Sequence, residues 1–227
     1  MRRLLRPLLC SIAFGSCLRV ASEEPLMPLF KPPAKKLIEC SWANCDTAFL
    51  RQNIETMEKL APYDGIRIQV DFKAKDSNGR IVECSTYRIF KDVRWQYAWF
   101  KQALEDLQAT KFTKFKHNFL MTSSSTGNID WFDDKAWNNV CNNFSIMARL
   151  AREGGMVGLF FDPETYNNNK QFRHKPEEAR DLRELVLKTR QRGREFGQAI
   201  FEAFPNIKLF MSFIFESNLK YVDNPVI

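Results

Sequence analysis

The segment Gly158-Leu159-Phe160-Phe161-Asp162-Pro163-Glu164-Thr165-Tyr166 places two carboxylates two positions apart at the end of an apolar run. Alternate residues of an extended chain point the same way, so Asp162 and Glu164 can face one site. Two carboxylates held close repel each other, and burial disfavours charge further. Such a pair would be expected to have one pKa raised. A protonated glutamate beside an ionised partner is what general acid catalysis needs. A plainer role is open to the same residues, in which Asp162 caps a turn and Pro163 ends the strand.

Other chemistry-bearing residues follow predicted strands. Trp42 and Asn44 come after the first and Asp71 after the second. The polar run Ser123 to Asn128, with Asp130 and Trp131, follows the third. Tyr166 extends the fourth and Glu216 follows the fifth. Carboxylates mixed with aromatic rings suit sugars. Rings stack on pyranose faces, while acids take hydroxyls and proton transfers. On this reading Glu164 is a general acid and Asp162 its electrostatic partner. Trp42, Trp131 and Tyr166 stack on sugar, and Asn44, Asp71 and Glu216 contact the substrate.

The stretch from Asn118 to Tyr166 resembles the strand-four region of chitinase-type glycoside hydrolases. Their motif ends a barrel strand with spaced aspartates and then the acid glutamate, and Asp162 and Glu164 match its last two acids. Gly158 and Phe160 stand in place of the earlier aspartates, and Pro163 in place of a customary aromatic. Ser124-Ser125-Thr126-Gly127 echoes the family's serine-glycine strand only loosely. The resemblance implies a glycoside-hydrolase-like barrel rather than a chitinase.

The elements that would carry these residues alternate in type. Leu37–Trp42 reads as a short strand, and Asp46 or Thr47 then caps a helix with Leu50, Ile54, Met57 and Leu60 on one stripe. Ile66–Phe72 alternates as a strand, and Asn78-Gly79 signals a β-hairpin whose return strand is Ile81–Phe90. Val93, Tyr97, Phe100, Leu104 and Leu107 mark a second helix. Asn118–Thr122 is a strand, and Asp133 or Asp134 opens a helix that Gly154-Gly155 ends. Met156–Asp162 is continuously apolar, as in a parallel strand buried on both faces. Pro176 opens a long helix with Leu182, Leu185, Phe196, Ile200 and Phe204 inward, and Ile207–Phe215 is the fifth strand. This alternation predicts an α/β fold, an incomplete (β/α)8-barrel-like domain of about five strands with an inserted hairpin. The first strand lacks the glycine-rich turn of a nucleotide-binding doubly wound sheet.

The start of the chain belongs to another category. Arg2, Arg3 and Arg6, the apolar run Leu8 to Leu18 and Val20-Ala21-Ser22 have the order of a secretory signal peptide covering residues 1–22, too short to span a bilayer. Anchoring as a lipoprotein through Cys17 is the alternative. Both predict a secreted or periplasmic protein. Residues 23–36 hold four prolines and read as a linker to a domain over 37–227. Cleavage after Ser22 removes four arginines and no acid. Lys plus Arg thus falls from 34 to 30 against 27 acids, and the net charge from +7 to +3. That balance gives no reason to expect nucleic acid as a partner.

Four cysteines remain, Cys40, Cys45, Cys84 and Cys141. Cys40 and Cys45 are close enough to pair, and buried free thiols are the other reading. With only His117 and His174 and no close Cys-x-x-Cys pair, a zinc site is not expected. The absence of a Walker loop and of a Gly-x-Ser-x-Gly elbow points away from nucleotide hydrolysis and serine hydrolysis. No cofactor is expected. The sequon Asn143-Phe144-Ser145 falls on a predicted buried helix face. The reading that results is a carbohydrate-active protein, with a non-catalytic carbohydrate-binding barrel fragment as the alternative and an exported scaffold without a ligand as a third.

Overall fold

The computed structural model describes residues 35–40, 45–75, 78–125, 127–164, 171–172 and 180–212. The chain divides into two compact units, Met1–Lys35 and Lys36–Ile227, and every element below belongs to the second. The predicted export segment and nearly all of the proline-rich stretch lie outside the described residues, as do Trp42, Asn44, Tyr166 and Glu216.

In chain order the elements are β1 (Ile38–Glu39), β2 (Cys45–Asp46), α1 (Thr47–Leu60), β3 (Gly65–Gln69), β4 (Asp71–Lys75), β5 (Ile81–Ser85), α2 (Lys101–Ala109), β6 (Phe119–Ser123), α3 (Asp134–Glu153), β7 (Gly158–Asp162), α4 (Leu182–Ala203) and β8 (Lys208–Met211). β1 and β2 both pair with β3 and form two segments of one strand position. From there the order is β3-β6-β7-β8, and every pairing in this sheet is parallel. Each new strand is added on the same side as the last. The sheet therefore curls as a five-strand half-barrel with four helices, instead of reversing as a doubly wound sheet does.

Local chemistry explains the boundaries. Asp46 caps α1 by accepting the Phe49 N–H at 2.7 Å, and Asp133 caps α3 by accepting that of Ala136 at 2.9 Å. Gly154 ends α3, and Gly155 follows at φ +76°, a left-handed conformation that favours glycine. All five residues of β7 are buried, as its apolar run predicts for a strand covered on both faces.

The helices cover one face of the sheet. Leu50 and Ile54 of α1, Leu107 of α2, Phe144 and Met147 of α3 and Ile200 of α4 pack with Ile66, Ile68, Leu120, Leu159 and Phe161 of the strands. The alternate strand residues Phe119, Met121 and Phe160 form a second cluster on the concave face, with Ile38, Cys40 and Tyr87 against it. Phe210 of β8 adds its ring 5.1 Å from Phe160 and 5.7 Å from Phe119.

Four segments differ in extent from the sequence reading. The predicted strand Ile66–Phe72 is divided at buried Val70. Its first part joins the large sheet, while β4 pairs antiparallel with β5, from Asp71 opposite Ser85 to Lys75 opposite Ile81. The return strand ends at Ser85 and gives way to a 3-10 turn, Thr86–Arg88, where the Thr86 amide bonds the Val70 carbonyl at 3.1 Å. The second helix opens as a 3-10 turn at Tyr97, not at Val93, because Asn143 pins the preceding chain. Its side chain accepts the Trp95 N–H at 2.9 Å and donates to the Val93 carbonyl at 2.9 Å. α4 is capped by Asp181, whose side chain accepts the Arg183 N–H at 3.1 Å, and Leu182 is exposed rather than inward.

Candidate functional site

Parallel strands bring their carboxyl ends to one edge, and the register there is specific. Met121 lies beside Phe160 and Phe160 beside Phe210, while one pleat further on Ser123 lies beside Asp162. Ser212, immediately after β8, extends the β7–β8 ladder by donating its amide to the Phe161 carbonyl at 3.3 Å. Its hydroxyl donates to Asp162 Oδ1 at 3.2 Å. The concave face thus has an apolar floor of Met121, Phe160 and Phe210 beneath a polar rim of Ser123, Asp162 and Ser212. Deeper on the same face the Arg67 guanidinium stands 5.4 Å from the Phe160 ring centroid.

Asp162 is 8% exposed, and Glu164 is partly buried. Asp162 Oδ1 also accepts the Glu164 N–H at 3.0 Å, so the aspartate fixes the backbone of the glutamate that follows it. This is the geometry of an Asx turn, which Pro163 favours by restricting the residue before it. The turn-capping role that the sequence allows Asp162 is thus present, with β7 ending at Asp162 and Pro163 following it.

The serine run after β6 packs against this end of β7. The Ser124 amide bonds the Asp162 carbonyl at 3.0 Å, and Ser123 Oγ accepts the Ser125 N–H at 3.0 Å. Ser125 Oγ donates to the Tyr87 carbonyl at 3.0 Å and ties the end of the β4–β5 pair to the same edge. Asp71, exposed at the start of β4, accepts a hydrogen bond from the Gln69 side chain. It lines a cleft of about 430 Å³ with Ser85, Tyr87 and Arg88.

Trp131 is held differently from the carboxylates. Its indole N–H donates to the Gln171 carbonyl at 3.1 Å, and its ring lies 5.1 Å from that of Trp137 and 5.9 Å from that of Phe172. Together they line an apolar hollow of about 510 Å³ beside α4. The buried Arg192 of α4 donates to the Trp131 carbonyl at 2.8 Å and to Glu195 at 2.8 Å, and also bonds Asp134.

Of the predicted site residues, Asp71, Asp162 and Glu164 follow strands that end at one edge of the fold. Sequence reasoning missed Ser212 as a site residue and named Ser123 only as part of a polar loop. What marks them is register, which places both beside Asp162.

The thiols are free at Cys40, Cys45 and Cys141, so Cys40 and Cys45 are not paired. Burial, with Asp46 and Glu39 nearby, pushes Cys45 up to about 12. Burial, with Glu195, raises Cys141 to about 11. Among the described residues no group of three or more metal-binding side chains stands together, and no helix is long and apolar enough to cross a membrane. Compared with family models, with curated proteins and with solved structures, the chain has no match.

Proposed function

We propose that this chain is an exported carbohydrate-active protein, a glycoside hydrolase of (β/α)8-barrel type with Glu164 as general acid and Asp162 as its partner. The observation that carries the reading is the bond from the Glu164 amide to Asp162 Oδ1, at the carboxyl end of a buried parallel strand where such folds keep their active groups. Glu164 gives its proton to the leaving oxygen as the glycosidic bond breaks, water supplies the new hydroxyl at the anomeric carbon, and the proton that the water loses restores the Glu164 acid. Asp162 orients Glu164 and offers negative charge to the sugar. Asp71, Trp42, Asn44, Trp131, Tyr166 and Glu216 are the proposed contacts to the rest of the substrate. The predicted signal segment supports export.

A second reading is a carbohydrate-binding protein without turnover. The observation favouring it is that Asp162 Oδ1 is engaged in holding the turn and the end of β8.

One experiment separates the two. The wild-type chain is offered cellotetraose, chitotetraose and maltotetraose, with binding and hydrolysis measured on each. Hydrolysis that falls about 10²–10⁴-fold in Glu164→Gln supports the acid role. Binding without hydrolysis supports the second reading, and neither binding nor hydrolysis rejects both.

A further inference from the structure

We infer that Ser212 is a positioning residue of this site, fixing the rotamer of Asp162 and through it the placement of Glu164. The inference deepens the proposed function and rests on it for its catalytic part alone. Asp162 Oδ1 receives two donors, the Ser212 hydroxyl at 3.2 Å and the Glu164 N–H at 3.0 Å. Among the described residues the hydrogen bonds to the Asp162 carboxylate all fall on Oδ1. Oδ1 is thus held by donors from two different segments of the chain. A carboxylate on a short side chain turns about two torsions, and one bond from the residue two positions on leaves that rotation soft. The second bond comes from a different strand, fifty residues away in sequence, and locks the carboxylate to the sheet.

The position of Ser212 is itself fixed by backbone. The pairs Gly158–Lys208 through Phe161–Met211 set the register of β8, and the Ser212 amide continues it onto the Phe161 carbonyl. Ser212 therefore points the same way as Phe210 and Asp162, onto the concave face.

The test compares full-length wild type with Ser212→Ala and Ser212→Thr, the latter keeping the hydroxyl. Amide hydrogen exchange at Glu164 reads the Asp162 contact without any sugar. Exchange should quicken about tenfold in Ser212→Ala and return close to the wild-type rate in Ser212→Thr. On whichever of the three tetraoses wild type hydrolyses, Ser212→Ala should lower kcat about tenfold with KM within about twofold, again with rescue by Thr. Unchanged Glu164 exchange in Ser212→Ala overturns the inference whatever the sugars do. Equal loss of protection in the Ala and Thr variants also overturns it, since packing and not the hydroxyl would then be responsible. Quickened exchange with wild-type kcat overturns the catalytic part. Quickened exchange, rescued by Thr, in a protein that hydrolyses none of the three supports the positioning and counts against the hydrolase reading alone.

Discussion

Gly158 and Lys208 face each other at the start of the β7–β8 pair so closely that a methyl group on Gly158 would stand 1.8 Å from the Lys208 carbonyl oxygen. The obstacle is backbone, so no side-chain rotation relieves it. Gly158→Ala should lower stability by about 1–3 kcal/mol or more, read as an earlier urea midpoint. A methyl group on Gly193 in α4 would meet nothing within 4 Å, so Gly193→Ala should be neutral or stabilise by up to about 1 kcal/mol. A Gly158→Ala midpoint equal to wild type would contradict the close approach.

Asp162→Asn should leave the Glu164 turn intact, because the amide oxygen can replace Oδ1 as acceptor of the Glu164 N–H. Hydrolysis, if Glu164 is the acid, should then fall less than in Glu164→Gln, since charge is lost but geometry is kept. Initial rates on the same tetraose rank the two variants. A deeper loss in Asp162→Asn would make the aspartate the principal group.

Glu58 is a buried acid with a structural duty. Burial pushes it up, but a bond from the Thr113 hydroxyl and the N–H groups of Phe115, Lys114 and Thr113 together outweigh burial and hold it below the usual glutamate range. A carboxyl depressed in the folded state contributes stability above its unfolded pKa and loses it as pH falls through the folded one. Glu58→Gln should cost about 1.5–3 kcal/mol at pH about 7, with the gap from wild type shrinking below pH about 4. Urea melts across that range measure it, and a pH-independent gap would refute the assignment.

Asn143 is fully buried and bonds Trp95, Val93 and Ile89 around one turn of chain. Asn143→Ala would leave several buried backbone groups unpaired, at about 1–3 kcal/mol each. The expected result is a loss of about 3 kcal/mol or more in urea unfolding, with Trp95 emission shifted to the red. A near-neutral substitution would mean the 89–95 segment holds itself.

The buried thiol of Cys45 and the half-buried thiol of Cys141 should be inert. With Cys45 held at about 12 and Cys141 at about 11, little thiolate forms at pH about 7. Both should react slowly with a disulfide reagent in the native protein and quickly in denaturant. Rapid native labelling at either position, located by peptide mapping, would contradict the burial.

Legibility in the sequence follows the range of the interaction. Asp46 and Asp133 are readable as caps because a cap acts over three residues, and β7 because a strand buried on both faces is apolar throughout. The start of the second helix is misread at Val93 because the contact that holds residues 93–95 extended comes from Asn143, about fifty residues on. Asp162 and Glu164 stand out as a local pair, whereas Ser212 needs the β7–β8 register before it can be placed. Arg192 gives no signal either. It reads as one cation among many on α4, yet it is buried against Trp131 and Glu195.

The strand order of the large sheet has a kinetic consequence. Because β1 and β2, β3, β6, β7 and β8 neighbour one another in the order in which they are encoded, each strand docks onto an edge that has already emerged from the ribosome. Among the described strands none waits for a distant late one, which keeps loop-closure entropy small at each of these additions. The half-barrel can therefore grow as it is synthesised, one strand and helix at a time, with the most recent strand as its template.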